Sequence, residues 1–159
     1  MRIVNWAFAL GAVATIGTAT VSYADNHANT LVVAKAADPQ SLDPAQTMDN
    51  NDWTVTYPMY QRLVKYDVSP EGKGLTSVVG ELATSWSSSA DGLTWTFELG
   101  QNHKFSDGST VDAAAVEYSF DRLMALGRGP SEAFPSSMDI EATGDFQVTF
   151  TLEKPFAPF

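Results

Sequence analysis
LATSWSSSADGLTWTFELGQNHKFSDGSTVDAAAVEYSFDR, residues 82–122, carries two strands, two turns and a helix in that order. Leu93, Trp95, Phe97 and Leu99 fall on one face of an extended chain, and Thr94, Thr96 and Glu98 on the other, which is the period of a half-buried strand. A shorter apolar run ending at Trp86 precedes it. Asp91-Gly92 between the two runs tolerates a positive φ, so the pair reads as a hairpin with a longer loop. Lys104-Phe105 leads to Asp107-Gly108, a second turn signal. The helix that follows opens on Asp112, whose carboxylate suits the unpaired amides of a first turn, with Val111 and Val116 placed as a hydrophobic staple. Ala115 stands at N3, so the reciprocal capping box is missing. Val116, Phe120 and Leu123 then form an apolar stripe, and Gly127-Arg128-Gly129-Pro130 ends the helix. On spacing alone, these aromatic residues face a core.

The order of short motifs adds to this reading. Within the stretch come Leu82-Ala83-Thr84-Ser85-Trp86, Asp91-Gly92-Leu93-Thr94-Trp95-Thr96-Phe97, Lys104-Phe105-Ser106-Asp107-Gly108 and Val116-Glu117-Tyr118-Ser119-Phe120-Asp121-Arg122. Ser41-Leu42-Asp43-Pro44-Ala45 and Tyr60-Gln61-Arg62-Leu63-Val64-Lys65-Tyr66-Asp67 precede it, and Val148-Thr149-Phe150-Thr151-Leu152 and Lys154-Pro155-Phe156-Ala157-Pro158-Phe159 follow. Together they resemble the N-terminal region of family 5 extracytoplasmic solute-binding proteins, the peptide, nickel and opine binding subunits of ABC importers. The resemblance runs from about Leu31 to the end. It implies an α/β fold, the N-terminal portion of a two-lobed periplasmic binding protein (type II, cluster C-like), with a mixed sheet, hairpins and two main helices. It also implies a non-catalytic protein whose lobes close over a small-molecule or peptide solute, a dipeptide or oligopeptide by the nearest likeness. The closed form would dock on ABC permease subunits in the inner membrane. A monomer without cofactor or metal is expected. Two features depart from the family. Ala113, Ala114 and Ala115 replace the acidic residues usual after the helix cap, and the family runs to several hundred residues where this chain has 159. Residues 25–159 are therefore expected to be a truncated N-terminal part of the binding domain.

Residues 1–24 read as a cleavable secretory signal: Arg2, an apolar span from Ile3 to about Ile16, then small residues ending in Ser22-Tyr23-Ala24. The span is short and interrupted by Gly and Thr, which argues against a membrane anchor. The chain has no cysteine, hence no disulfide framework and no thiol to take a lipid at the end of the signal. A periplasmic location is expected. Removing residues 1–24 takes away one arginine and no acid, leaving 8 basic against 19 acidic residues. With no Lys/Arg cluster to neutralise phosphates, nucleic acid is not an expected partner.

Asp25 to Thr30 is a polar lead-in, and Leu31-Val32-Val33-Ala34 reads as a strand buried on both faces. Residues 37–52, rich in Asp, Asn, Gln and Ser with two prolines, read as loop. By the resemblance this loop borders the interlobe cleft, which makes Gln40, Ser41 and Leu42 candidate ligand contacts. The alternative is that Pro39 and Pro44 shape a connection and Leu42 plugs the core. Asp49-Asn50-Asn51-Asp52 lacks the spacing, glycine and terminal glutamate of a calcium loop and reads better as a helix N-terminus. Trp53, Tyr57, Tyr60 and Val64 follow at helical spacing, but Pro58 implies a kink or a later helix start. Trp53 and Tyr57 are core residues by spacing, or line the cleft if the kink turns them outward. Residues 67–80, with three glycines and Pro70, read as a mobile connection. Phe146, Val148, Phe150 and Leu152 alternate with polar residues after a turn at Gly144-Asp145, a last strand with an exposed face.

An enzyme would need a constellation of reactive groups. The two histidines, His27 and His103, lie in no metal or nucleophile motif, and there is no Gly-x-Ser-x-Gly elbow, phosphate loop or His-Glu-x-x-His helix. No catalytic residues are expected. The competing reading is a secreted, non-catalytic structural or protein-interaction module, with the hairpin and aromatic helix as its binding face.

Overall fold
The computed structural model describes residues 31–71 and 74–156. The expected signal at 1–24, the polar lead-in at 25–30 with His27, and the close of the last motif at 157–159 lie outside them. The chain divides into two compact units, Met1–Ala34 and Lys35–Phe159. All regular elements among the described residues belong to the second.

In chain order these are α1 (Asn50–Thr56), β1 (Val64–Asp67), β2 (Gly74–Gly80), β3 (Ala83–Ser88), β4 (Thr94–Leu99), α2 (Ala113–Leu126), a short 3₁₀ helix (Gly129–Ala133), β5 (Asp139–Gly144) and β6 (Gln147–Thr151). β1 and β2 form a two-stranded sheet, and the other strands form a four-stranded sheet in the order β3-β4-β6-β5. Every pairing is antiparallel among the described residues. The parallel component of a mixed sheet would need a strand such as Leu31–Ala34. That run carries no regular structure here, and Leu31, Val32 and Val33 are exposed.

The alternation of β4 is realised in the core. Phe97 and Leu99 are buried, Phe97 stands opposite Val148 of β6, and Trp95 stands opposite Phe150. α2 lies across β5 and β6 and presents the stripe expected of it, with Val116 and Leu123 buried. The Phe120 ring meets Phe150 edge-on at 5.1 Å and Phe134 at 5.6 Å, while Phe150 meets Phe97 at 5.4 Å. Such edge-to-face contacts match the quadrupoles of the rings. Asp112 caps α2, its Oδ1 accepting from the Ala115 N–H at 2.8 Å, and Val111 and Val116 are both buried as the staple requires. Gly127 ends the helix, its N–H reaching the Leu123 and Met124 carbonyls.

Two expectations are corrected and a third is met. The aromatic run at 53–64 is not one helix. α1 stops at Thr56 with Tyr57 as its C-cap, immediately before Pro58, and Val64 begins β1; the ring of a proline disfavours helix in the residue before it. The supposed mobile connection at 67–80 is strand in its second half, because β2 pairs with β1, Tyr66 opposite Val78 and Lys65 opposite Val79. The last strand keeps the alternation expected of it, with Val148 and Phe150 fully buried and Thr151 exposed, and β4 and β5 flank it in the sheet.

Candidate ligand-contact face
Residues 35–62 are built differently from the sheet. Their buried side chains are Ala45, Thr47, Asp52 and Thr56, three of them polar, and Ala45 lies outside the main hydrophobic cluster. Hydrogen bonds therefore do the positioning that apolar contact does elsewhere. Asp49 caps α1, its Oδ1 accepting from the Asn51 and Asp52 N–H groups at 2.7 and 3.0 Å. The buried Asp52 carboxylate accepts from the Gln40 N–H at 2.6 Å and, more weakly, from the Ser41 N–H at 3.4 Å. Thr56 Oγ1 donates to the Asp52 carbonyl and Thr47 Oγ1 to that of Pro44. Lys35 Nζ donates to the Asn51 carbonyl and to Thr54 Oγ1.

Asp43 ties this segment to α2. Its Oδ1 accepts from Arg122 Nη1 at 3.0 Å and its Oδ2 from Arg122 Nη2 at 2.5 Å, a bidentate pair. Gln46 Nε2 donates to Oδ2 at 2.7 Å and the Ala45 N–H to Oδ1 at 3.0 Å, while Arg128 Nη2 donates to Gln46 Oε1. The Arg122 guanidinium, with the Gln46 amide second, holds the Asp43 carboxyl well below the usual aspartate range, and Asp43 raises the Arg122 pKa in return.

The five residues singled out in the sequence fall on this one loop-and-helix unit. Gln40 is exposed and Ser41 half-buried, both with their N–H groups turned to Asp52, and Ser41 Oγ accepts from the Asp43 N–H at 3.1 Å. Leu42 is exposed rather than a core plug, and its carbonyl accepts from the Tyr60 hydroxyl at 3.2 Å. Trp53 and Tyr57 are also exposed, 49 % and 57 %, one α-helical turn apart. Arg62 lies over the Tyr57 ring at 3.7 Å, and its guanidinium pairs with Glu81, Nε to Oε2 at 3.0 Å and Nη2 to Oε1 at 3.1 Å. No kink turns the two aromatics outward. The helix is simply too short and too polar on its inner face to bury them.

The acidic run that invites a cation reading is engaged by these bonds, and no group of three or more His, Cys, Asp or Glu side chains converges as metal ligands among the described residues. Open depressions lie elsewhere, one of about 580 Å³ between the start of α2 and the β5–β6 turn, another of about 420 Å³ beside Phe134 and Phe156. Sequence reasoning missed Asp43, Asp52 and Arg122. Asp43 and Arg122 each stand in a recognised motif, but 79 residues apart no local spacing joins them.

The family model described as bacterial extracellular solute-binding proteins, family 5 Middle, matches residues 77–159. The chain belongs to family 5. Among curated family 5 relatives, it is 58 % identical over 129 residues to the Probable D,D-dipeptide-binding periplasmic protein DdpA of Escherichia coli K12, an alignment covering 81 % of this chain and 25 % of that protein. It is 32 % identical over 157 residues to the glutathione-binding protein GsiB of Pectobacterium atrosepticum, covering 98 % and 29 %. Solved family 5 structures agree. The binding protein MoaA of A. tumefaciens R10, in complex with mannopinic acid, superposes with a TM-score of 0.65 at 30 % identity over 75 % of this chain and 24 % of its own. DppA of Helicobacter pylori, in complex with the peptide STSA, gives 0.61 at 31 % identity over 77 % and 27 %. The chain thus spans about a quarter of the length of the relatives it matches.

Proposed function
We propose that this chain is part of the periplasmic solute-binding component of an ABC importer for dipeptides or oligopeptides, exported by residues 1–24 and without catalysis of its own. One observation carries the substrate class: the 58 % identity to a protein named for D,D-dipeptide binding. Gln40, Ser41, Leu42, Trp53 and Tyr57, all on one loop-and-helix unit and all but Ser41 exposed, suit that chemistry. A short peptide offers amide groups to a polar turn and apolar side chains to flat aromatic rings whose tips remain wet. Lobe closure over the peptide then presents a new surface to the permease. A monomer that takes no nucleic acid completes the reading.

The test is calorimetric titration of the intact protein with D-alanyl-D-alanine, L-alanyl-L-alanine, glutathione and nickel chloride, followed in parallel by tryptophan fluorescence. Saturable binding of at least one dipeptide is expected, with Trp53→Ala weakening it about tenfold, the effect of losing about 1.4 kcal/mol of contact. The melting temperature should move little, because Trp53 is half exposed. Binding of nickel alone, or of nothing, overturns the reading.

A further inference from the structure
We propose that Asp52 and the Asp43–Arg122 ion pair are positioning residues of the contact face: they touch no solute, yet set where Gln40, Ser41 and Leu42 stand. This inference rests on the peptide-binding reading above. Residues 35–62 bury one apolar side chain, Ala45, so the hydrophobic effect has little purchase on where this segment lies. Asp52 holds the front of the loop. Asp52 is only 3 % exposed, and the described partners of its carboxylate are the Gln40 and Ser41 N–H groups. Burying a carboxylate is costly unless hydrogen bonds compensate, so a residue that does so for two loop amides acts on those amides. Asp43 holds the back. The bidentate contact with Arg122 fixes both distance and plane, as a single-point contact cannot. Gln46 and Arg128 extend the same anchorage to the end of α2. Gln40, Ser41 and Leu42 lie between these two fixings. A contact turn held in its binding geometry before solute arrives spends less free energy on ordering when it binds.

The experiment is a double-mutant cycle on dipeptide affinity in the intact protein, with Asp43→Asn, Arg122→Gln and both together, beside Asp52→Ala. Hydrogen exchange at the Gln40, Ser41 and Ala45 amides is followed in the same proteins. Each single variant should weaken binding about tenfold while the amides of β4 and β6 keep wild-type protection. The double variant should cost no more than either single one. Asp52→Ala should release the Gln40 amide, and Asp43→Asn the Ala45 amide, at least tenfold. Wild-type affinity in the variants, or losses that follow global stability alone, overturns the positioning role. A wild-type protein that binds no dipeptide overturns the peptide reading and this inference with it, and is recognised because it requires no variant.

Discussion
Two glycines separate the cost of space from the cost of torsion. A Cβ on Gly80 would stand 2.0 Å from the Ala83 carbonyl oxygen. That oxygen cannot swing away cheaply, because the fold-back is fixed by the Glu81 and Ala83 N–H groups, both donating to the Leu63 carbonyl at 3.0 Å, and by Leu82 N–H on Arg62 at 2.9 Å. Gly108 has open space around its missing Cβ but a φ of 89°. Gly80→Ala should therefore cost roughly 2–4 kcal/mol, the range of an overpacked site with a displaced backbone. Gly108→Ala should cost only about 1 kcal/mol, the torsional term. Urea unfolding of the two variants measures both. Equal costs would mean that the fold-back yields and that the bonds to Leu63 and Arg62 do not restrain it.

At the scale of elements, α2 shows a missing charge and its remedy. Asp112 satisfies the Ala115 amide, but no acidic residue stands in the first turn, so the positive end of the helix dipole lacks a counter-charge beyond the cap. Ala114 is exposed, and Ala114→Glu should stabilise the protein by about 0.3–1 kcal/mol at low salt. Asp112→Ala should destabilise it by about 1 kcal/mol. Thermal melts at two ionic strengths check both, and the Ala114→Glu gain should shrink with salt. The same element shows what sequence could disclose. Cap, staple, stripe and stop around α2 all act within a few residues, so each was legible from neighbours. So was β4, whose alternation decides its faces whatever its partners. β5 was not recognised, because Ile140 and Ala142 offer only two weak apolar positions before Gly144, and its strand character comes from pairing with β6. α1 was misjudged for a related reason. Pro58 was read as a kink in, or a late start to, a helix running on to Val64, whereas it sets the boundary at which α1 ends. At the candidate site the exposed residues were legible through motif resemblance, whereas the bonds that hold them join residues far apart in the chain.

For the whole molecule, the described residues of the second unit are held by two kinds of force with different responses to acid. The sheet and α2 enclose the apolar cluster around Phe150, which protons do not touch. Residues 35–62 depend on carboxylates. Folding lowers the Asp43 pKa, chiefly through Arg122, so below the ordinary aspartate value near 3.9 the unfolded form binds protons more readily than the folded form. The stability from this pair is complete above that value and is lost as pH falls through the lower folded one. After discounting for the solvent that reaches Arg122, it amounts to about 1 kcal/mol. Asp67, Asp91 and Asp107 are shifted down as well, each chiefly by the hydroxyl of a neighbouring serine in its turn, so acid weakens these surface turns in the same direction. Between pH 4 and pH 2, with intrinsic exchange rates divided out, the protection of the Ala45 and Gln46 amides should therefore fall first, while the amides of β4 and β6 stay protected until the cluster itself opens. Asp43→Asn should already show the faster loop exchange at pH 7 and respond less to acid. A uniform loss of protection across loop and sheet would mean that the segment opens only with the whole, and that its few apolar contacts hold it more firmly than its ion pair does.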